Sequence, residues 1–181
     1  MATNQIKVLQ GERIYLRRVE HEDVDHFLNA VSNPEIRRLT GTNAFFTKAK
    51  LERFIANIQT DSSRIDLIIA LQKNDQVIGD LAIVDIDQQN RNGSFRIAIT
   101  DPQYLSKGYG TEALSIVIDY MFNTLNLRRI SINVYAFNHR AIKAYEKLGF
   151  VKEGVLREEL YFDGEYNDNI LMGLLKKEYK K

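Results

Sequence analysis

The residues best placed to do chemistry form one run, Leu105-Ser106-Lys107-Gly108-Tyr109-Gly110-Thr111-Glu112-Ala113. It follows a strand pattern and opens an amphipathic helical one. Glycines at such a junction let backbone N–H groups approach an anion closely, and a helix start adds a fractional positive charge. Lys107 supplies a full charge beside them. A pyrophosphate is the natural guest, although Gly-x-Gly ahead of a helix also serves as a plain strand-to-helix turn. Two phosphate signatures fit poorly. A P-loop needs its Lys after the glycines, and Lys107 precedes them. A dinucleotide fingerprint needs a third glycine where Ala113 stands, early in a strand–helix–strand unit. Further along, Asn138 opens another helical pattern and Tyr145 follows on the same face, so both can point at one ligand. On spacing alone Tyr145 equally suits a core aromatic.

Other chemistries are removed by composition. There is no cysteine, which excludes disulfides, thiolate metal sites and a cysteine nucleophile. The histidines are His21, His26 and His139, with no HExxH or paired-ligand spacing, so no metal is expected. With 25 basic and 24 acidic side chains the formal charge is +1, against the basic excess that nucleic-acid or membrane-surface binding would require. Apolar runs such as Leu67 to Leu71 fall far short of the roughly 20 residues of a spanning helix. Met1 to Gln10 lacks the apolar core of a secretory signal, and a cytoplasmic protein is expected.

The elements that must position these residues are legible from periodicity. At 181 residues, with two prolines and no linker-like tract, one domain over 1–181 is expected. Ile14 to Val19 reads as a strand and His21 to Val31 as a helix, which Asn33-Pro34 interrupts. Thr47 to Ile58 reads as a second helix with Thr47 as its cap. Asp66 to Leu71, Val77 to Asp87 and Ser94 to Thr100 read as strands joined by polar turns. A helix from Thr111 to Asn123, a strand from Ile130 to Tyr135 and a helix from Asn138 to Leu148 follow. Gly149 sits where a helix C-terminal cap belongs, and strands over Val151 to Tyr161 and Ile170 to Leu175 close the chain. The pattern predicts an α/β (α+β) domain with a mixed, mostly antiparallel sheet and helices on both faces.

Taken together, Asp101-Pro102, Lys107 to Ala113, Asn138 to Ala141 and Tyr145-Glu146-Lys147-Leu148-Gly149-Phe150 resemble the Gcn5-related N-acetyltransferase (GNAT) superfamily. The tail (Glu153-Gly154, Leu156-Arg157-Glu158, Tyr161, Asp163-Gly164, Tyr166, Asp168, Met172) is similar to the branch of ribosomal-protein N-terminal and spermidine N-acetyltransferases. The resemblance implies an acyl-CoA N-acyltransferase fold, with acetyl-coenzyme A as cosubstrate and its pyrophosphate on the amides from Ser106 to Thr111. It implies that pantetheine pairs with Ile97, Ala98 and Ile99 where two strands splay, and that Asn138 contacts the cofactor. Ala141 belongs to the same matched segment. Tyr145 would protonate the departing thiolate, and a phenol near pKa 10 is a competent acid for that step. Without cysteine, direct transfer in a ternary complex is expected.

Two departures from the family pattern stand out. The strand before the glycine turn, Ser94 to Thr100, carries no carboxylate. Asp85 and Asp87 at the end of the preceding strand, or a water chain, are then the alternatives for the base. Leu105 replaces a commonly polar residue, and Lys107 and Arg140 are the cations placed to compensate near the phosphates. Substrate contacts are expected from Asn33 to Phe46, with Phe45 and Phe46 facing the cleft and Glu35 greeting a cationic amine, and from Tyr161 to Tyr166. The acceptor is expected to be a polyamine, a protein N-terminus or another small amine, and pairing of edge strands into a homodimer is expected too. The competing expectation is a non-catalytic acyl-CoA-binding or sensor module.

Overall fold

The computed structural model describes residues 7–180. The sequence readings that touch positions 1–6 and 181 lie outside the described residues. In chain order the elements are β1 (Lys7–Gln10), β2 (Ile14–Arg18), α1 (Val24–Ser32), α2 (Pro34–Thr40), α3 (Lys48–Ile58), β3 (Ile65–Leu71), β4 (Val77–Asp87) and β5 (Asn92–Ile99). Then come α4 (Tyr109–Asp119), β6 (Arg129–Tyr135), α5 (His139–Lys147), β7 (Val151–Phe162) and β8 (Glu165–Leu175). The strands form one sheet in the order β1-β2-β3-β4-β5-β6-β8-β7. Only β5 and β6 run parallel; the other neighbours are antiparallel.

Alternation along the strands makes two apolar layers. Leu67 and Ile69 of β3 face a core shared with Leu114, Val117 and Ile118 of α4 and with Tyr145 of α5. Ile68 between them faces the opposite way and packs with Val24 of α1 and Leu51 and Ile55 of α3. Helices therefore cover both faces, as the alternation of strand residues requires.

Several elements depart from the sequence reading. β1 was too short and mixed to show a period. Asn33-Pro34 does not merely interrupt a helix; it starts one. The Asn33 side-chain oxygen accepts N–H groups of Glu35 and Ile36 at 2.9 and 3.2 Å. Pro34 takes the first helical position, where a missing N–H costs nothing. α4 opens at Tyr109 instead of Thr111 and runs on into a π-helical turn over Tyr120–Thr124. β8 starts at Glu165, because its polar first half is held by pairing with β7 and not by burial.

One buried ion pair fastens the entrance of α1 to β2. The Arg17 guanidinium donates to both carboxylate oxygens of Asp23 at 2.7 Å, and the two side chains are 4% and 6% exposed. Asp23 also accepts the Glu20 N–H at 2.8 Å. Removing one partner of such a pair strands the other charge in a dry environment. Asp23→Ala is expected to cost about 3–5 kcal/mol of stability in urea unfolding. An unchanged midpoint and slope would refute that weight.

Candidate active site

The site begins with a defect in the sheet. β5 and β6 pair at Asn92 with Arg129, Gly93 with Ile130 and Ser94 with Ser131, and no further. Both strands continue, to Ile99 and Tyr135, while each keeps its outer neighbour. The β5 edge from Phe95 to Ile99 is left without a strand partner, so its backbone groups are open to an extended ligand. Gly79 on β4 allows this part of β5 to lie close. A Cβ there would sit 2.3 Å from the Ala98 carbonyl oxygen.

The glycine turn stands at the mouth of the split. Ser106 and Gly108 occupy the left-handed region, at φ 57° and 84°, and bend the chain into α4. The Leu105 N–H is taken by Pro102 and the Glu112 N–H by Gly108. The amides from Ser106 to Thr111 donate to no backbone carbonyl, as expected for a turn running into a helix start. These free donors, with the helix dipole behind them, suit a phosphate group.

What holds the turn is a residue that the motif does not include. Glu112 accepts Arg13 through the backbone N–H and Nε, both at 2.8 Å, and the Ile14 N–H at 3.3 Å. The Arg13 Nη1 also donates to the Lys107 carbonyl at 2.9 Å, and the guanidinium lies 4.5 Å from the Tyr109 ring centre. Burial pushes the Glu112 carboxyl upward, but the hydrogen bonds and charge of Arg13 outweigh it and hold the pKa below the ordinary value. Arg13 lies 99 residues away in sequence, so no local pattern signals it.

Two cavities meet in the split. The first, about 200 Å³, is lined by Ile97, Ala98 and Ile99 of β5, by Leu105, Ser106, Gly108, Gly110 and Thr111, and by Asn138, Arg140, Ala141 and Tyr145. Lys107 and Tyr109 are not on this wall. Their contacts are with Arg13 and with Tyr104, whose ring centre lies 6.0 Å from the Lys107 Nζ. The second cavity, about 590 Å³, opens beneath α1 and α2 and carries Asp80, Asp85, Arg96 and Tyr135 on its wall. Ile97, Ala98, Asn138 and Tyr145 belong to both.

Tyr145 therefore stands where the two spaces join. It is 6% exposed and packs edge-on against Phe95 and Phe150, with ring centres 5.9 and 6.0 Å away. Burial pushes its phenol up to about 12, with no hydrogen bond or charge contributing. Asn138 caps α5 by accepting the Ala141 N–H at 3.2 Å.

The remaining sequence candidates separate. Asp85 lines the second cavity at φ 54°. Asp87 lines neither, and its carboxylate accepts the Asn90 N–H and side-chain amide at 2.9 and 2.7 Å, which lowers its pKa. Glu35, Phe45 and Phe46 also line neither cavity; Phe45 is 86% exposed, with the Arg37 guanidinium 5.4 Å from its ring centre. From that segment α2 instead supplies Ile36, Leu39 and Thr40 to both walls. Its capping pair Asn33-Pro34 was the available signal. Asp80, which a scan of motifs passes over, pairs with His26 at 3.0 Å. Among the described residues no three His, Asp or Glu side chains gather as metal ligands, and no helix is long and apolar enough to cross a membrane.

A mixed sheet split between two parallel strands, with a helix N-terminus at the mouth of the split, defines an acyl-CoA N-acyltransferase fold. The chain belongs to the GNAT family: the Acetyltransferase (GNAT) domain model matches residues 13–151. It is similar to the spermidine N(1)-acetyltransferase of Vibrio cholerae, at 30% identity over 93% of this chain and 96% of that one. It is also similar to the uncharacterized N-acetyltransferase p20 of Bacillus licheniformis, at 31% identity over 96% and 99%. The crystal structure of spermidine N-acetyltransferase from Vibrio cholerae in complex with CoA and spermine superimposes with a TM-score of 0.88 at 27% identity, over 93% of this chain and 99% of that chain. The protein is an acetyl-CoA-dependent N-acetyltransferase that acts on an amine.

Because the obstacle at Gly79 is backbone, a side chain there must displace β5. Gly79→Ala is expected to cost about 1–3 kcal/mol in denaturant unfolding. It should also raise the KM for acetyl-CoA more than that for the acceptor. A variant with wild-type stability and KM would show that the close approach is not needed.

Proposed function

We propose that the protein, as one unit over 1–181, transfers acetyl from acetyl-CoA directly to a primary amine, with both substrates bound together and a linear polyamine as the acceptor. The observation that carries the transfer geometry is the junction of the two cavities at Tyr145. The pyrophosphate rests on the amides of Ser106 to Thr111, with Arg140 near it and Lys107 acting through its backbone. Pantetheine follows the free edge at Ile97, Ala98 and Ile99, past Leu105 and Ala141, which brings the thioester toward Asn138 and Tyr145. The amine arrives through the larger cavity.

An unperturbed aliphatic amine is neutral in roughly one molecule per thousand at pH 7, and this fraction attacks the thioester carbonyl. As the C–S bond breaks, the thiolate takes the Tyr145 hydroxyl proton. A buried phenol raised to about 12 stays protonated at every pH at which the enzyme works, so the donor form is always present. Its raised pKa has a defined sign: the acid form persists until pH rises through that value, so Tyr145 contributes no alkaline loss of activity below about pH 11. Tyr145→Phe is expected to lower kcat by a factor on the order of 10 to 10⁴, equally at pH 6 and pH 9, with coenzyme A binding retained in calorimetry. Unchanged turnover would remove Tyr145 from the chemistry.

A polyamine acceptor is supported by the similarity to spermidine acetyltransferases and by Asp80 and Asp85 on one wall of a roomy cavity. Arg96, exposed on the same wall, favours a second reading in which the amine belongs to an acidic peptide N-terminus. Thiol release measured with spermidine, spermine and N-terminal peptides separates them. Polyamine turnover that exceeds peptide turnover at least tenfold supports the first; the reverse order, lost on Arg96→Gln, supports the second. Acetyl-CoA use without cysteine supports a cytoplasmic setting. The exposed Val151, Val155 and Leu156 on the edge strand β7 support pairing of two copies.

A further inference from the structure

The His26–Asp80 pair is unexplained by the fold. The buried ion pair Arg17–Asp23, which fastens α1 to β2, is bidentate and closed. His26 and Asp80 meet through one contact, Nε2 to Oδ2 at 3.0 Å, and their side chains keep 14% and 25% exposure. Asp80 lies on the wall of the larger cavity. In the sheet it sits between Ile68 of β3 and Ala98 of β5. Directly opposed strand residues have Cβ atoms about 5 Å apart, and Ala98 belongs to both cavities. Asp80 therefore stands beside β5, one strand in from its open edge, on the wall of the larger cavity.

Asp85, the other carboxylate on that wall, is five residues further along β4. At the rise of a strand that is about 16 Å toward the closed end of the split. It also interacts with the Arg64 charge. The remaining ionisable groups on the wall are Arg37 of α2, Arg96 of β5, Tyr135 of β6 and Tyr145 of α5. Arg37 is occupied by the carbonyls of Val31, Asn43 and Ala44. β3 presents the apolar Ile68, and His26 itself packs edge-on against Phe27. Asp80 is the one carboxylate beside Ala98, and its partner on α1 can fix its orientation.

We infer that Asp80 is the catalytic base that removes the proton from the attacking nitrogen, and that His26 is its positioning residue. This rests on the acetyl-transfer reading above. The neutral amine attacks the thioester carbon, and the new C–N bond leaves a positive nitrogen bearing two hydrogens. Asp80 takes one of them as that bond forms. The C–S bond breaks, and Tyr145 gives its proton to the sulfur. The proton held by Asp80 returns through solvent to the Tyr145 oxygen, so the products are the amide and the free thiol with both side chains restored. With its proton on Nε2, His26 donates to Oδ2 and leaves Oδ1 for the nitrogen.

The experiment measures acetyl transfer from pH 6 to 10 with the amine that the wild type turns over fastest. Asp80→Asn, nearly isosteric, is expected to lower kcat at pH 7 by a factor on the order of 10² to 10⁴. The loss should shrink as pH rises, because hydroxide then removes the proton instead. KM for acetyl-CoA and the melting temperature should stay near wild type. His26→Phe should give a smaller loss with the same steepened pH profile, and His26→Gln, which keeps an N–H donor, should restore part of kcat. A loss confined to the acceptor KM, or a kcat defect constant across pH, would overturn the proton-acceptor role and leave Asp80 an anchor or a structural residue. Acetyl-CoA binding by a wild type that transfers to no amine would instead defeat the transfer reading itself.

Discussion

Three residue pairs hold β5 to β6, and everything functional follows from the pairing that stops there. A strand edge inside a sheet is costly, since buried backbone groups need partners. The outer edges of both strands stay paired beside the gap, and α4 and α5 contribute to its lining. The gap is not a flaw in an otherwise regular sheet. It supplies a strand-shaped vacancy of hydrogen-bonding groups, which is the chemical complement of an amide-bearing arm such as pantetheine. Gly79 lets β4 and β5 stay close enough for the vacancy to keep its shape.

Burial serves two purposes at Tyr145. Packing with Phe95 and Phe150 stabilises the core beneath the split, and the same exclusion of water pushes the phenol pKa up. The two interpretations that spacing alone left open are compatible, because the aromatic ring is in the core while its position adjoins both cavities.

Long-range polar contacts stiffen the parts that local sequence marks only as turns. Arg13 ties the glycine turn to the start of β2 through Glu112 and the Lys107 carbonyl. Arg37 gathers the carbonyls of Val31, Asn43 and Ala44, which holds the chain after α2 against α1. Arg37 uses its guanidinium fork to close several backbone acceptors at once, and Arg13 divides its own between a carboxylate and one carbonyl. The larger cavity under α1 and α2 has Val31 and Arg37 on its wall.

Much of this was legible in the residues themselves. Period two and period 3.6 located most strands and helices, and the Gly-x-Gly turn with Asn138 and Tyr145 marked the smaller cavity, because each of those signals is local. The signals for the larger cavity were not local. Asp80 is an ordinary strand residue until α1 brings His26 within 3.0 Å of it, and Phe45 and Phe46 attract attention as aromatics although neither reaches a cavity. Asn33-Pro34 showed a boundary but not that a helix followed. By itself the sequence determined the fold class and the glycine turn that opens α4, since propensity and backbone freedom act over a few residues. Only the tertiary structure decided which carboxylates line the larger cavity, since that depends on distances between segments far apart in the chain.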